Sequence, residues 1–75
     1  LQNAKLKVQE VKMIWLEKLR KEKNLTQSQV SEMSKISISF YNQIENAERK
    51  PSVSTAKKIA EVLSFDWTKF FEKGD

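Results

Sequence analysis

Between Met13 and Lys23 the apolar residues Met13, Leu16 and Leu19 recur at intervals of three among lysines, glutamates and Arg20. That interval gathers side chains on one face of an amphipathic helix. Val8, Val11, Trp15 and Leu19 form a neighbouring stripe at helical spacing, so the first helix has either a wide core face or an earlier start. The stretch from Leu25 to Val30 carries a helix-start signal: Thr26 supplies a capping oxygen, Gln29 completes a T-x-x-Q box, and Leu25 is placed to staple onto Val30. This second, short helix runs through Val30 and Met33 and ends near Ser34 and Lys35. A new cap at Ser37 follows at once, with Ile36 before it and Tyr41 placed to staple onto Ile36.

A third helix is predicted from Ile38 to about Asn46. Pro51 disfavours helix at Lys50 and is tolerated where the next helix starts, with Ser52 as its cap. Val53, Ala56, Ile59, Ala60 and Leu63 then trace an amphipathic fourth helix, and a cap at Asp66 opens a last short one carrying Trp67, Phe70 and Phe71. The pattern predicts an all-α, compact five-helix domain with no strand, no repeat and short connections. Residues 12–73 are expected to form it, after an amino-terminal extension over residues 1–11. Leu1 is not an initiator methionine, which fits a processed or partly artificial start, and nothing near it reads as a secretory signal.

Composition narrows the chemistry. A chain of 75 residues holds one small core, burying about 60% of its unfolded surface, and leaves little room for a catalytic cleft. It has no cysteine and no histidine, so disulfides, thiolate metal sites and imidazole chemistry are excluded; neither metal nor cofactor is expected. Its carboxylates, hydroxyls and amines are scattered over predicted solvent faces, which argues against an enzyme. No apolar run approaches a membrane span. The net charge of +4 favours a polyanionic partner, although the excess lies at the amino-terminal end: residues 1–25 hold seven lysines or arginines against three glutamates.

The third helix is the informative one. Projected at about 100° per residue, it places Phe40, Tyr41 and Ile44 on one side and Ser39, Asn42, Gln43 and Asn46 on the other, with Ile38 at the margin. The outward face is polar yet uncharged. A merely solvated face ordinarily uses glutamate, lysine and arginine, which favour helix, whereas serine and asparagine weaken it. Base edges in the major groove call for donors and acceptors together: asparagine or glutamine takes adenine N6 and N7, serine adapts to several bases, and Ile38 suits a thymine methyl. An indifferent amide-rich surface is the competing reading. Two short helices joined by a tight turn over residues 27–46 favour DNA, because that arrangement lets one helix cross the backbone while the next enters the groove.

Residues 16–71 resemble the helix-turn-helix family of lambda-type Cro and repressor proteins. The matching residues are Leu16, Leu19 and Arg20, then Leu25-Thr26-Gln27-Ser28-Gln29-Val30-Ser31, then Ile44-Glu45-Asn46, and finally Pro51-Ser52 with Ile59, Ala60 and Leu63. The resemblance implies a lambda-repressor-like fold and a sequence-specific transcriptional regulator, a repressor, reading the major groove with helix 38–46. It implies base contacts from Ser37, Ile38, Ser39 and Gln43, with Asn42 between them in reach of base or phosphate. Phosphate contacts are implied for Gln27, which also buttresses the recognition helix, and for Ser28, Lys35, Asn46, Arg49 and Lys50. Arg20 and Glu45 are implied to form a largely buried, structural ion pair. Three departures stand out: Lys35 replaces the turn glycine, Ser31 the usual alanine of the second helix, and Ala47 the glycine after the third. Tyr41 also replaces a smaller aliphatic residue at an inward position.

The implied partner is double-stranded DNA carrying a palindromic operator, bound by a homodimer in the cytoplasm of a bacterium, whether encoded by the host or by a phage. Trp15, Trp67 and Phe71 are the candidate dimer interface. The alternative is a protein-interaction or antitoxin module on the same helical fold, with those aromatics and Phe70 supplying its contacts.

Overall fold

A computed structural model describes residues 12–72. It contains α1 (Ile14–Glu22), α2 (Gln27–Ser34), α3 (Ile38–Glu45) and α4 (Val53–Leu63), followed by a 3₁₀ turn (Trp67–Phe71). Among the described residues there is no strand. The fifth helix is thus a single tight turn instead of an α-helix. Asp66 accepts from the backbone N–H of Thr68 at 3.0 Å and from its hydroxyl at 2.8 Å, closing the segment two residues after the cap. Aromatic and β-branched residues, poor helix formers, make up four of its five positions, and nothing favours extension beyond it.

Each α-helix starts where the chain supplies a capping oxygen, except α1, whose cap position, Met13, sends its backbone N–H to the Glu45 carbonyl at 2.9 Å. Thr26 and Gln29 form both halves of the capping box, at 3.0 and 2.8 Å. Ser37 and Ser52 accept from the N–H groups of Phe40 and Thr55. The helix ends are less ordinary. Asn24, Lys35, Ala47 and Ser64 all have positive φ, between 58° and 62°, and one follows or caps every α-helix. The backbone bonds of such a stop satisfy the last carbonyls, but a Cβ in this region is crowded by the following carbonyl oxygen.

The core joins Leu16 of α1, Val30 of α2, Tyr41 and Ile44 of α3, Ala56, Ile59 and Leu63 of α4, and Phe70 of the 3₁₀ turn. Leu25 and Ile36 pack against it from the two turns. Trp15, Phe65 and Phe70 form a cluster with ring centroids 5.2 to 5.5 Å apart, which fastens the carboxyl-terminal turn to α1. Two expected stripe residues, one in α4 and one in α2, are exposed. Val53 is half exposed because helical side chains lean towards the amino terminus, and from the first residue of α4 that direction leads past the helix end. Met33 is also exposed, and Val30, Ser31 and Ser34 form the buried face of α2. Ser31 is accommodated at its alanine-like position by donating its hydroxyl to the Ser28 carbonyl at 2.8 Å. Val8 and Val11 lie outside the described residues. Lys12 and Met13 are not helical, so α1 starts at Ile14 within the described span.

Candidate nucleic-acid interface

A buried charge network sets α3 against the rest of the molecule. Arg20, on α1, donates from Nε to Glu45 Oε2 at 2.6 Å and from Nη2 to Oε1 at 3.2 Å; its Nη1 reaches the Leu25 carbonyl at 2.9 Å. Tyr41 donates its hydroxyl to Glu45 Oε2 at 2.6 Å, and Gln27 donates Nε2 to Oε1 at 2.8 Å. Burial on its own pushes the Glu45 carboxyl up, but the donors on Arg20, Tyr41 and Gln27 outweigh it and hold the group below its ordinary value. Burial, reinforced by the adjacent carboxylate, pushes the Tyr41 phenol far up, so it remains a donor. The carboxylate therefore links α1, α2 and α3 at one point, with Arg20 and Glu45 both nearly inaccessible.

Tyr41 is the member of this network that the sequence reading places only as a packing substitution. It lies one helical turn before Glu45, at the i, i+4 spacing that brings two side chains together, and that spacing was the available signal.

From the same carboxylate a row of amides leads to the surface. Gln27 Oε1 accepts from Asn42 Nδ2 at 3.1 Å, and Asn42 Oδ1 accepts from Asn46 Nδ2 at 3.1 Å. Gln27, Asn42, Gln43 and Asn46 are half-buried, while Ser37, Ile38 and Ser39 at the start of α3 are exposed. Ser37 uses its oxygen as the helix cap, which leaves its hydroxyl proton unspent. The Gln43 side chain makes no hydrogen bond among the described residues. Its backbone carbonyl accepts from the N–H groups of Glu48 at 2.8 Å and Arg49 at 3.3 Å, holding the loop that leaves α3.

The cations flank this face. Lys35 is exposed in the turn between α2 and α3, in the left-handed conformation at φ 61° and ψ 43°. Arg49 and Lys50 are exposed after α3, and the Arg49 guanidinium sits 4.7 Å from the centroid of the Phe40 ring, which gives it a platform. Ser28 is exposed beside Gln27 in the first turn of α2. The three aromatic residues expected at a dimer contact fall into two groups. Trp15 is committed to Phe65 and Phe70, with Lys69 Nζ 5.1 Å from its ring centroid. Trp67 and Phe71 meet edge to face at 6.0 Å, and Phe71 is exposed.

Among the described residues no helix is long and apolar enough to cross a membrane. Comparison with known proteins accords with the geometry. The helix-turn-helix family model matches residues 16–70, from Leu16 in α1 to Phe70 in the 3₁₀ turn. The protein named uncharacterized HTH-type transcriptional regulator YqaF, of Bacillus subtilis (strain 168), is 53% identical over 58 residues, spanning 77% of this chain and 76% of YqaF.

Proposed function

The chain belongs to the Cro- and repressor-type helix-turn-helix family of DNA-binding transcriptional regulators, and from that premise we propose that it is a repressor that occupies a palindromic operator as a homodimer. The observation that carries this reading is the division of charge around α3: a helix whose outward positions are uncharged hydroxyl, amide and aliphatic groups, with exposed cations at Lys35 just before it and at Arg49 and Lys50 just after it. In this reading Ser37, Ile38, Ser39, Asn42 and Gln43 face the major groove. Gln43 has both amide functions available for an adenine, and the exposed Ile38 suits a thymine methyl. Gln27, Ser28, Lys35, Asn46, Arg49 and Lys50 hold the backbone on either side and fix the depth of entry.

A second copy bound one helical turn away, about 34 Å, reads the other half-site. The exposed Phe71 and its neighbour Trp67, together with Trp15, supply the apolar contact between copies. The domain responsible spans residues 12–73 and works in the cytoplasm of a bacterial cell.

The test is selection of bound sequences from a random duplex library at near-physiological salt, followed by titration of the enriched duplex against a scrambled one. A palindromic site bound at least about a thousandfold more tightly supports the reading. A folded protein that enriches nothing moves the assignment to a protein-interaction module.

A further inference from the structure

Side-chain amides are ambivalent. Each has one carbonyl and two N–H groups, and its orientation is set by the neighbours it must satisfy. Here a charge makes that choice. A carboxylate only accepts, so Gln27 must turn Nε2 towards Glu45, where it sits 2.8 Å from Oε1. Its carbonyl is thereby aimed at Asn42, which must answer with Nδ2, and the carbonyl of Asn42 is left to Asn46 Nδ2. The orientation runs outward through two rungs from one buried anion. Gln27 and Asn42 each use their carbonyl inside the row and retain one N–H that it does not use.

We infer that Glu45 polarises this row so that Gln27 and Asn42 direct their carbonyls along it and each keep a free N–H for DNA, which makes Asn42 a phosphate-positioning residue and leaves amide reading of the bases to Gln43. The inference rests on the reading of α3 as the recognition helix. Phosphate oxygens only accept, so they match the free N–H that each of these amides retains. Bidentate recognition of adenine needs the donor and acceptor of the same amide turned together to the base edge, and in Asn42 the carbonyl is directed to Asn46, with one of its two lone pairs engaged there. Gln43, the next residue, carries no such commitment among the described residues. Two adjacent amides thus have different tasks because only one is wired to the carboxylate.

The first arm of the test uses the protein without DNA. In ¹H–¹⁵N spectra, Gln27→Ala should move the side-chain NH₂ signals of Asn42 and Asn46 while leaving those of Gln43 in place. Unmoved Asn42 signals would overturn the row. In the second arm, Asn42→Ala and Gln43→Ala are titrated with the duplex recovered by selection and with its scrambled counterpart. Asn42→Ala should weaken both by the same factor, about tenfold for a hydrogen bond to a charged group. Its salt slope should not change, because an amide displaces no counterion. Replacing single phosphates of the selected duplex with neutral methylphosphonates should reveal one position where the wild type loses this factor and Asn42→Ala loses nothing more. Gln43→Ala should lose affinity for the selected duplex alone. An Asn42→Ala variant that keeps its affinity for scrambled DNA while losing the selected site would make Asn42 a base reader and overturn the inference. If selection yields no enriched duplex, the recognition-helix reading falls and the donor role with it, whereas the row itself stands or falls on the spectra.

Discussion

Replacing Lys35 by glycine should leave the protein more stable than replacing it by alanine, because glycine alone relieves the left-handed backbone at this helix end. Lys35 has φ 61° and ψ 43°, and its own N–H and that of Ile36 close α2 on the Glu32 and Ser31 carbonyls at 3.1 and 3.0 Å. Both bonds survive in glycine. The left-handed conformation costs a residue with a Cβ roughly 1–2 kcal/mol, and glycine avoids that cost. Against this, glycine gives the unfolded chain about 0.4–1 kcal/mol more conformational freedom to lose. Loss of the lysine charge removes a further 0.3–1 kcal/mol or so of interaction with the helix end. Lys35→Ala isolates these effects, because it loses the charge but keeps the Cβ. The comparison that matters is therefore glycine against alanine, where a gain of about 0.5–1 kcal/mol is expected, or roughly 4 °C in Tm for a domain of this size. Thermal and urea unfolding of the two variants, followed by circular dichroism, measure it. Ala47→Gly, at φ 60° and with no charge to lose, is an independent repeat. A Lys35→Gly variant no more stable than Lys35→Ala would refute the strain argument.

Other consequences of the geometry are open to the same methods. Glu45→Ala strands the Arg20 guanidinium and should cost about 3–5 kcal/mol, a large part of a small domain's stability, seen as a fall in urea midpoint. Because folding depresses the Glu45 carboxyl from its ordinary value of 4.5, the stability it confers is fully present above that value and is lost as pH falls through the lower folded value. Urea midpoints should therefore drop more steeply for the wild type than for Glu45→Gln as the solution is acidified below pH 4.5, and parallel curves would exclude Glu45 as the source. Ser34 is buried and its hydroxyl has no hydrogen-bond partner among the described residues, so Ser34→Ala should raise stability by about 1 kcal/mol; a loss would show that the hydroxyl is satisfied after all. Lys50→Ala should weaken selected and scrambled duplexes alike and reduce the salt slope by about one, in contrast to Ser39→Ala, which should relax preference at one base pair.

What could be read in the sequence depended on how far each interaction reaches along the chain. The capping box of Thr26 and Gln29 and the caps at Ser37, Ser52 and Asp66 join residues two or three apart, so composition and spacing reveal them directly. Arg20 and Glu45 are separated by 25 residues, and only the family resemblance pointed to their pairing. Of the amide row, only the support that Gln27 gives the recognition helix was implied, again by resemblance; the parts of Asn42 and Asn46 in it were not legible. It exists because the first turn of α2 packs beside the outer face of α3, and no periodicity states how two helices cross. Met33 shows the reverse limit: its spacing suits the core, but the angle between α2 and its neighbours turns the buried face towards Ser31 and Ser34. The final segment was correctly placed and capped, yet five residues of mostly poor helix formers settle into a 3₁₀ turn.

The separation of charge from the outer face of α3 bears on how such a regulator finds its address. In the proposed reading, the cations at Lys35, Arg49 and Lys50 respond to ionic strength on every stretch of duplex, matched or not, whereas Ile38, Ser39 and Gln43 carry no charge for salt to screen. On that reading, a rise in salt alters how long the protein dwells on DNA in general, while the ratio between a selected duplex and its scrambled counterpart stays nearly constant.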